Sequence, residues 1–345
     1  MTVLHILNTN SYSGAENVAI TLIRAMRERY PDYRLVYVSP DGPIRERLAA
    51  EGVEFEPVSG VSAREIRRVV KKYRPDLIHA HDFTASVTAA FATFKIPVIS
   101  HIHNNPPWLG RPCLKSIAYR LSIARYERIL CVSPSVADEF IFRRAMKRKA
   151  EVIGNPIDTA SIRKRAEEAR ERDGCDVVFL GRLTEAKNPA LFVDVVAELS
   201  RKTELCAVMI GDGELREATE RRIAEHSLTD KVKLAGFLDN PYGVLASSRV
   251  LCMTSSWEGY GLAAVEALAL GKPVVALSVG GLPTVITGCE GRLCADKDGL
   301  VRELERLLTD PGEYAEASRL AISRADEIDN LASYTEKINR YYSGE

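Results

Sequence analysis

The chain has 345 residues, 46% of them hydrophobic and 27% charged, and it carries 47 Lys and Arg residues against 47 Asp and Glu residues. This length leaves room for two domains with separate cores, and the absence of any run of about 18 apolar residues argues against a membrane span. The seven cysteines are odd in number and include no C-x-x-C pair, which argues against a disulfide framework and favours a reducing cytoplasm. The first residues, M-T-V-L-H-I-L-N-T-N, lack the features of a signal peptide, so we expect a cytoplasmic protein.

The charge is distributed unevenly along the chain. Residues 1–154 contain 23 Lys and Arg residues against 15 Asp and Glu residues, so the remainder is acidic. This asymmetry predicts an anionic partner for the first half, such as a phospholipid surface, a pyrophosphate-linked lipid or nucleic acid. On a phospholipid surface the protein would be peripheral, at the inner face of the cell membrane. The alternative is that the basic clusters are solvated helix faces. These clusters are Arg64, Arg67, Arg68, Lys71, Lys72 and Arg74, and Arg143, Arg144, Lys147, Arg148 and Lys149.

Short β-branched runs alternate with helical patterns, which predicts an α/β protein with parallel sheets. Five predicted strands in each half suffice for two doubly wound, Rossmann-like domains, and such sheets bind ligands beyond the carboxyl ends of their strands. The predicted strands are 3–8, 34–39, 77–80, 97–101 and 129–132 in the first half, and 177–181, 205–211, 232–235, 250–253 and 273–277 in the second.

In the first half, polar residues follow three of the predicted strands. Gly14 precedes a helix that is predicted from about Ala15, and it is a candidate contact for an anion. Two H-x-H pairs lie at later strand ends, with Asp82 beside the first pair. This pattern suits a divalent metal site, or alternatively one histidine of each pair is a core residue while the other lines a cleft. The pairs are His79 with His81 and His101 with His103.

Residues 156–173 are highly charged and lack a buried-strand pattern, so we predict a linker there that allows the domains to close over a ligand. The domains are then 1–155 and 174–330. A last helix at 331–345 is expected to pack back on the first domain.

Candidate phosphate and base contacts follow the strands of the second half. Arg182 and Lys187 come after the first of these strands, where a guanidinium and an ammonium neutralise two phosphates unless they are plain surface cations. Gly211 lies in a G-D-G turn at the end of the next strand. Phe237 is a candidate floor for a nucleobase, or alternatively a core residue.

The segment from Thr254 to Val275 is predicted to contain the main ligand-binding loop. A loop with Gly259 and Gly261 leads into a helix from about Leu262 to Leu270. A helix N-terminus with unpaired N–H groups and a nearby glycine suits a diphosphate. Glu258 and Glu266 bracket this junction, where they are placed to accept hydrogen bonds from the hydroxyl groups of a sugar nucleotide, or alternatively Glu266 lies on a solvated face.

Taken together, these motifs resemble the retaining nucleotide-sugar glycosyltransferases of family 4 (glycosyl transferases group 1), which have the GT-B fold. The resemblance implies two Rossmann-like domains that face each other across a deep cleft. It also implies that the first domain binds the acceptor and the second domain binds the donor. It covers nearly the whole chain. The matching residues are S-G-A-E at 13–16, D-L-I-H-A-H-D at 76–82, H-N at 103–104, G-N-P-I-D at 154–158, G-R-L-x-x-x-K-N at 181–188, G-D-G at 211–213, G-F at 236–237, E-G-Y-G-L-A-A-V-E at 258–266 and S-V-G-G-L-P at 278–283.

The resemblance implies a role for each matching residue. Arg182 and Lys187 bind the donor diphosphate, Glu266 the ribose hydroxyls and Glu258 the donor sugar, while His103 lies over that sugar. The remaining donor contacts that it implies are Gly14, Gly211, Phe237, Gly259, Tyr260, Gly261, Leu262 and Ala263.

The implied reaction is retaining, metal-independent hexosyl transfer without a cofactor. The donor is a nucleoside diphosphate sugar, with a UDP-sugar expected. The acceptor is a hydroxyl of a cell-envelope, capsule or exopolysaccharide, or lipid-linked glycan, and no nucleic-acid partner is expected. The sequence departs from the family pattern at Thr284, after the Gly-Gly-x-Pro segment, and in the short stretch 288–294. These two departures leave the nucleobase and the sugar of the donor undetermined.

Three other functions stay open at this point. A metal-dependent hydrolase would use His79, His81, Asp82 and His103. A non-catalytic sugar-nucleotide-binding protein would keep the fold without the transfer, and an epimerase of the same layout would place its carboxylates differently.

Overall fold

The computed structural model describes residues 1–170 and 173–344, and the chain divides into two compact units. Unit 1 consists of Met1–Pro156 and the segment from Asn330 onward, and unit 2 consists of Ile157–Asp329. Each unit contains one parallel sheet with helices between its strands, so the predicted α/β class with two Rossmann-like domains is confirmed. Residues 171 and 172 of the predicted linker and residue 345 of the predicted last helix lie outside the described residues.

Unit 1 contains a seven-stranded sheet in the order β3-β2-β1-β4-β5-β6-β7, and each neighbouring pair is parallel. Its strands are β1 (Thr2–Ile6), β2 (Arg34–Pro40), β3 (Glu54–Val58), β4 (Leu77–His81), β5 (Val98–Ile102), β6 (Tyr126–Cys131) and β7 (Ala150–Val152). Its first helices are α1 (Gly14–Arg29), α2 (Ile44–Ala50), α3 (Ala63–Tyr73), α4 (Asp82–Ala92), α5 (Leu114–Ser122), α6 (Pro134–Asp138) and α7 (Arg143–Met146). Two 3₁₀ turns, Pro107–Gly110 and Ile123–Arg125, flank α5.

Unit 2 contains a six-stranded parallel sheet in the order β10-β9-β8-β11-β12-β13. Its strands are β8 (Val177–Leu180), β9 (Ala207–Ile210), β10 (Val232–Gly236), β11 (Val250–Met253), β12 (Val274–Leu277) and β13 (Gly291–Cys294). Its helices are α8 (Thr159–Glu168), α9 (Pro189–Leu199), α10 (Arg216–Glu225), α11 (Tyr242–Ser247), α12 (Leu262–Ala269), α13 (Leu282–Val285), α14 (Lys297–Thr309) and α15 (Pro311–Ile328). The last helix of the chain, α16 (Leu331–Ser343), belongs to unit 1 and packs there against α1.

The strands that sequence patterning missed are β3, β7 and β13, and each of them is an edge strand. β3 has the sequence E-F-E-P-V, with two acids and Pro57. β7 has only three residues, and none of them is fully buried. An edge strand pairs on one side only, so it lacks the continuous apolar run that identifies a central parallel strand.

The predicted linker at 156–173 differs from the structure. Residues Thr159–Glu168 form α8, in which the Asp158 side chain caps the N-terminus by accepting from the Ser161 N–H at 2.9 Å. Ala166 is buried, and Arg163 donates to the Ala269 carbonyl of α12 at 3.0 Å. Sequence analysis does not detect this helix, because it contacts unit 2 through arginine side chains and only a few buried residues and therefore lacks a clear apolar periodicity.

The order of the strands decides where ligands bind. The chain reverses its direction of travel across the sheet between β1 and β4 in unit 1 and between β8 and β11 in unit 2. At such a switch point, the loops beyond the two central strands diverge and leave a crevice at the carboxyl edge. Each unit therefore has one switch point, and the residues there are the first candidates for ligand binding.

Candidate active site

At the switch point of unit 2, the loop after β8 and the loop after β11 are bonded to each other. The Thr254 hydroxyl donates to the backbone carbonyls of Lys187 and Asn188, at 3.0 and 2.9 Å. The Ser256 N–H donates to the Ala186 carbonyl at 2.8 Å. Asn188 also caps α9 by accepting from the Leu191 N–H at 3.3 Å. These bonds fix the backbone of Lys187 against the segment that leads to Glu258.

Lys187 and Glu258 form an ion pair between Nζ and Oε2. Their side chains are 24% and 12% exposed, so the pair is shielded on most sides but open to a ligand. The Ser255 hydroxyl donates to the same Oε2 atom at 3.3 Å. Sequence reasoning assigned these two residues to different parts of the donor, and the structure brings them into direct contact.

The backbone around Glu258 is packed closely against the Gly-Gly segment after β12. The Glu258 carbonyl accepts a hydrogen bond from the Gly281 N–H at 3.0 Å. A Cβ atom on Gly280 would lie 1.8 Å from that carbonyl oxygen, and Gly280 has a φ of +55°. Only glycine fits there, which explains why the segment carries two glycines.

Helix α12 starts directly after this loop. Its N-cap residue is Gly261, with a left-handed φ of +102°, and Gly261 is buried. Gly259 is also buried, whereas Tyr260, Leu262 and Ala263 are half-buried. The first N–H groups of a helix have no partner within it, so this end of α12 offers donors to an anion.

Glu266 lies one turn inside α12 and contacts a tyrosine that sequence reasoning missed. The Tyr242 hydroxyl donates to Glu266 Oε1 at 3.0 Å, and the Arg165 guanidinium carbon lies 4.7 Å from the centre of the Tyr242 ring. Burial raises the pKa of Glu266 to about 7, although the Tyr242 bond and the charges of Arg165 and Lys187 oppose this rise. No sequence signal marks Tyr242 or Arg165, because their proximity to Glu266 arises only from the packing of α8 and α11 on α12.

The other predicted residues of unit 2 follow its remaining strands. Arg182 comes just after β8 and is exposed. The Gly211 N–H donates to the Gly236 carbonyl at 2.8 Å, which joins the ends of β9 and β10. Phe237 is 59% exposed and is therefore not the core residue that was the alternative for it. These residues thus lie at the same carboxyl edge as Lys187.

In unit 1, Gly14 is the first residue of α1. The buried Glu16 in the first turn accepts a hydrogen bond from the Ser13 hydroxyl at 2.5 Å, and another from the Thr9 hydroxyl. The serine and glutamate side chains of the S-G-A-E motif are therefore bonded to each other at the N-terminus of α1.

The histidines of unit 1 form one hydrogen-bonded chain with a tyrosine of α16. Five of the six histidines of the protein take part. The successive links measure 2.8, 3.2, 3.3, 2.7 and 3.1 Å. The chain runs through His103, His81, His5, Tyr342, His79 and His101. Each neutral imidazole has one donor and one acceptor nitrogen, so neutral rings satisfy every link.

Burial keeps these imidazoles neutral. It lowers the pKa of His5 and of His103 to about 3, and it lowers the pKa of His79, His81 and His101 as well, with further contributions from neighbouring rings. His79 and His81 are both buried, so the expectation that one of them lines a cleft is wrong. The His103 side chain is half-buried, and the backbone N–H of His103 donates to Asp82 Oδ1 at 3.0 Å.

The ring nitrogens of these histidines also lie close enough together to bind a metal ion. Two groups of three, His5 with His79 and His81, and His81 with His101 and His103, place their ring nitrogens within 4.8 Å of one another. Their nitrogens are directed at each other, however, as the nearly coplanar rings of His81 and His103 show with an interplanar angle of 17°. This geometry is that of imidazole-to-imidazole hydrogen bonds.

Comparison with known proteins identifies the family on both units. Residues 12–161 match Glycosyltransferase Family 4, and residues 161–324 match Glycosyl transferases group 1. The chain is 29% identical over 334 residues to the lipopolysaccharide core biosynthesis glycosyltransferase LpsD of Rhizobium meliloti (strain 1021), covering 90% of this chain and 89% of that one.

Solved structures share the fold over the whole chain. Anabaena Alr3699/HepE in complex with UDP has a TM-score of 0.84 at 20% identity, and its complex with UDP-glucose has a TM-score of 0.83 at 20% identity. Each match covers 100% of both chains. None of the helices among the described residues has the length and apolar character needed to cross a membrane.

Proposed function

Since the chain belongs to the GT-B glycosyltransferases of family 4 and therefore transfers sugars from nucleotide-sugar donors, we propose that its donor is a UDP-sugar and that it retains the anomeric configuration. The proposed acceptor is a hydroxyl group of a cell-envelope, capsule or exopolysaccharide, or lipid-linked glycan. HepE, which has the same fold, binds UDP and UDP-glucose, and LpsD acts in lipopolysaccharide core biosynthesis. These two relatives support the donor base and the acceptor class, respectively.

The observation that carries the proposal is the contact of Lys187 and Glu258 beside the N-terminus of α12. Cleavage of the bond from the anomeric carbon to the phosphate builds negative charge on the departing diphosphate. A fixed ammonium and helix N–H groups aimed at that charge lower the barrier, because they are already oriented before the reaction starts. Removing one such donor from an enzyme typically reduces kcat by about 10²–10³-fold.

The Lys187–Glu258 ion pair also explains how one site recognises two parts of the donor. Glu258 accepts hydrogen bonds from hydroxyls of the sugar, and Lys187 contacts the adjacent diphosphate. Before donor binding, each neutralises the other, so neither charge stays unpaired in a half-buried position. Arg182 lies on the same loop after β8 as Lys187 and supplies a second cation for the diphosphate.

Glu266 is the proposed partner of the ribose hydroxyls. The Tyr242 bond to Oε1 orients the carboxylate and leaves its other oxygen to accept from the ribose. Gly211 allows the nucleotide to approach the end of β9, and Phe237 offers an exposed ring to the base.

In unit 1, His103 is the proposed contact of the donor sugar. Its pKa of about 3 makes it a neutral imidazole at physiological pH, so it takes part as a hydrogen-bonding group without positive charge. Gly14 is the proposed phosphate contact of this unit.

For the retaining step, we propose that the acceptor attacks on the face that the diphosphate leaves. The leaving phosphate oxygen then takes the proton of the acceptor hydroxyl, so the proposal needs neither a metal nor another cofactor. A cytoplasmic protein that attaches peripherally to the inner face of the membrane fits this acceptor class. The metal-dependent hydrolase is not favoured, because the family consists of transferases and because His79, His81 and His103 bond to one another and to their neighbours.

A panel of nucleotide sugars tests this proposal. We expect a UDP-sugar to raise the melting temperature and to be hydrolysed slowly without an acceptor, because a ligand that binds only the folded state stabilises it. NMR of the glycoside formed with a hydroxyl acceptor then reports the anomeric configuration, because a glycoside, unlike the free sugar released by hydrolysis, does not mutarotate. The absence of a shift with every UDP-sugar would overturn the donor assignment, and an inverted product would overturn retention. Saturable binding of UDP without transfer to a broad panel of acceptors would instead indicate a non-catalytic binding protein.

A further inference from the structure

The exposed apolar side chains of the described chain are concentrated on one face of unit 1. Ten large hydrophobic residues are exposed in all, and five of them belong to α4, to α5 or to the turn after α4. Leu114 is 88% exposed, Phe94 is 68% exposed and Leu121 is 64% exposed. We name the surface formed by Phe91, Phe94, Leu114, Ile117 and Leu121 the α4–α5 face. An exposed cluster of this kind marks an interaction surface.

The orientation of α5 is the reverse of the usual one for a surface helix. Its apolar residues Leu114, Ile117 and Leu121 recur at helical spacing, and all three are exposed. Its buried side carries hydroxyl groups instead. The Tyr119 hydroxyl is hydrogen-bonded to Ser100 at 2.9 Å, and the Ser122 hydroxyl to the Tyr126 hydroxyl at 2.6 Å. These buried bonds hold α5 with its apolar stripe facing outward.

Phe94, in the turn after α4, lies close to the end of α5. The Arg125 guanidinium carbon, just beyond α5, lies 4.8 Å from the centre of the Phe94 ring, and Arg125 also donates to the Thr93 carbonyl at 3.4 Å. At the opposite end, the rings of Phe83 in α4 and Tyr119 in α5 are 4.8 Å apart. The two helices therefore pack against each other, and their exposed apolar residues belong to neighbouring elements of unit 1.

The segment of the chain that carries this face has charges of one sign. The 44 residues from 83 to 126 contain no Asp or Glu, whereas they contain five Lys and Arg residues. These five are Lys95, Arg111, Lys115, Arg120 and Arg125. In the basic clusters that stand out in the sequence, Arg68 and Lys72 pair with Glu56 and Lys147 pairs with Asp138, so these three charges are partly neutralised.

We propose that the α4–α5 face docks the protein on an anionic phospholipid bilayer. Apolar side chains flanked by cations match the boundary between acyl chains and anionic headgroups, where Leu and Phe insert and Lys and Arg extend to the phosphates. The cations of this segment favour an anionic lipid surface over a second copy of this chain, because the same segment of that copy would repel them. The inference rests on the proposed function, because it makes the acceptor a glycan carried by a lipid of that membrane.

Vesicle flotation tests the proposal directly. The full chain is mixed with vesicles of phosphatidylcholine alone or of phosphatidylcholine with an equal part of phosphatidylglycerol, at low and high salt. We expect binding only to the anionic vesicles, with a steep decrease at high salt. The variant Leu114→Gln/Leu121→Gln should weaken this binding about a hundredfold, because it removes two inserted side chains. The variant Lys115→Gln/Arg120→Gln should weaken it roughly tenfold and reduce the salt dependence.

The matched control is Ile322→Gln, which changes an equally bulky exposed residue in unit 2 and should leave vesicle binding unchanged. All these side chains are exposed, so the variants are expected to keep the melting temperature of the parent chain. No binding of the parent to anionic vesicles at low salt would overturn the proposal, and so would undiminished binding of the leucine variant. A dimer in light scattering that the leucine variant abolishes, without vesicle binding, would assign the face to a second copy instead. UDP-sugar hydrolysis without vesicles, measured on the same proteins, shows separately whether the proposed function itself fails.

Discussion

The switch points of the two units have the same topology and different chemistry. In unit 1, His5, His79 and His81 lie on β1 and β4, are buried, and bond to one another and to Tyr342. In unit 2, Lys187 and Glu258 lie on the loops after β8 and β11 and form a partly buried ion pair. The first arrangement is neutral and closed, whereas the second is charged and open to a ligand.

This difference follows from the cost of burying charge. A neutral imidazole can be buried if both nitrogens find partners, because then no unpaired polar group remains. An ammonium and a carboxylate lose far more hydration on burial, so they are placed where a ligand can replace water. The fold therefore determines the position of each switch point, and the side chains decide whether it serves stability or chemistry.

Acidification should have the largest effect, and it should act on unit 1. The imidazoles have lowered pKa values in the folded chain, about 3 for His5 and His103, against an ordinary value of 6.5. The unfolded chain thus binds more protons below about pH 6.5, and stability is lost as the pH falls from there toward the folded pKa values. We expect a loss on the order of 1 kcal/mol per pH unit for each of His5 and His103, and the lowered pKa values of the other three imidazoles act in the same direction.

Tryptophan fluorescence separates the two units in this experiment. Trp108 and Trp257 are the two tryptophans, one in each unit, so a Trp257→Phe variant reports on unit 1. Denaturant unfolding of this variant is followed at several pH values. His226→Gln serves as the control, because His226 lies in unit 2 and should not affect the acid transition of unit 1. Constant stability of unit 1 from about pH 7 to about pH 5 would show that the chain of imidazoles is not held neutral.

Loss of the lysine should have the next largest effect, and it should act on chemistry alone. Lys187→Ala is expected to reduce the transfer rate about 10²–10³-fold, because the diphosphate loses a fixed positive charge in the transition state. The rate is measured as UDP release with a saturating donor, beside the melting temperature. Lys202→Ala, which breaks the exposed pair with Glu305, is the matched control and should keep full activity. Unimpaired turnover of Lys187→Ala would remove the diphosphate role from this site.

Removal of the tyrosine hydroxyl should change stability without changing chemistry. Tyr342→Phe leaves His5 and His79 without their shared partner inside the core, so we expect a loss of about 1–3 kcal/mol in the free energy of unfolding. Urea unfolding measures the loss. Tyr37→Phe is the control, because the buried Tyr37 hydroxyl has no hydrogen-bond partner among the described residues and its removal should be nearly neutral. Equal stability of the two variants would contradict the role of Tyr342 in the histidine chain.

The smallest expected effect concerns Glu266. Because its pKa is about 7, the carboxylate that accepts from the ribose forms as the pH rises through that value. We expect UDP affinity to increase several-fold, in the range of a single charge-assisted hydrogen bond, between about pH 6 and about pH 8. Glu266→Gln should remove this pH dependence, whereas Glu258→Gln should keep it and instead impair handling of the donor sugar. Identical effects of the two substitutions on UDP affinity, measured by calorimetry, would refute the division of roles.

Much of the fold and of the donor site can be predicted from the sequence, for specific reasons. The central strands are buried on both faces and appear as β-branched runs, whereas three of the four edge strands, β3, β7 and β13, lack such a run and escape detection. The fourth edge strand, β10, is predicted at 232–235. The E-x₇-E motif at Glu258 and Glu266, with Arg182 and Lys187 upstream, is visible because each residue stands next to a strand end or a helix start. Their assignment to sugar, ribose and diphosphate stays a prediction.

The sequence by itself therefore determined the α/β class, the two Rossmann-like domains and the family, since these depend on local periodicity and on motifs of contiguous residues. Only the tertiary structure decided which distant residues meet. It joined Tyr242 to Glu266, Lys187 to Glu258 and Tyr342 to His5 and His79, and it turned the apolar stripe of α5 outward. Contacts of this kind depend on how helices pack on sheets. The residues that this packing brings together share no periodic pattern in the sequence, so the sequence alone does not reveal them.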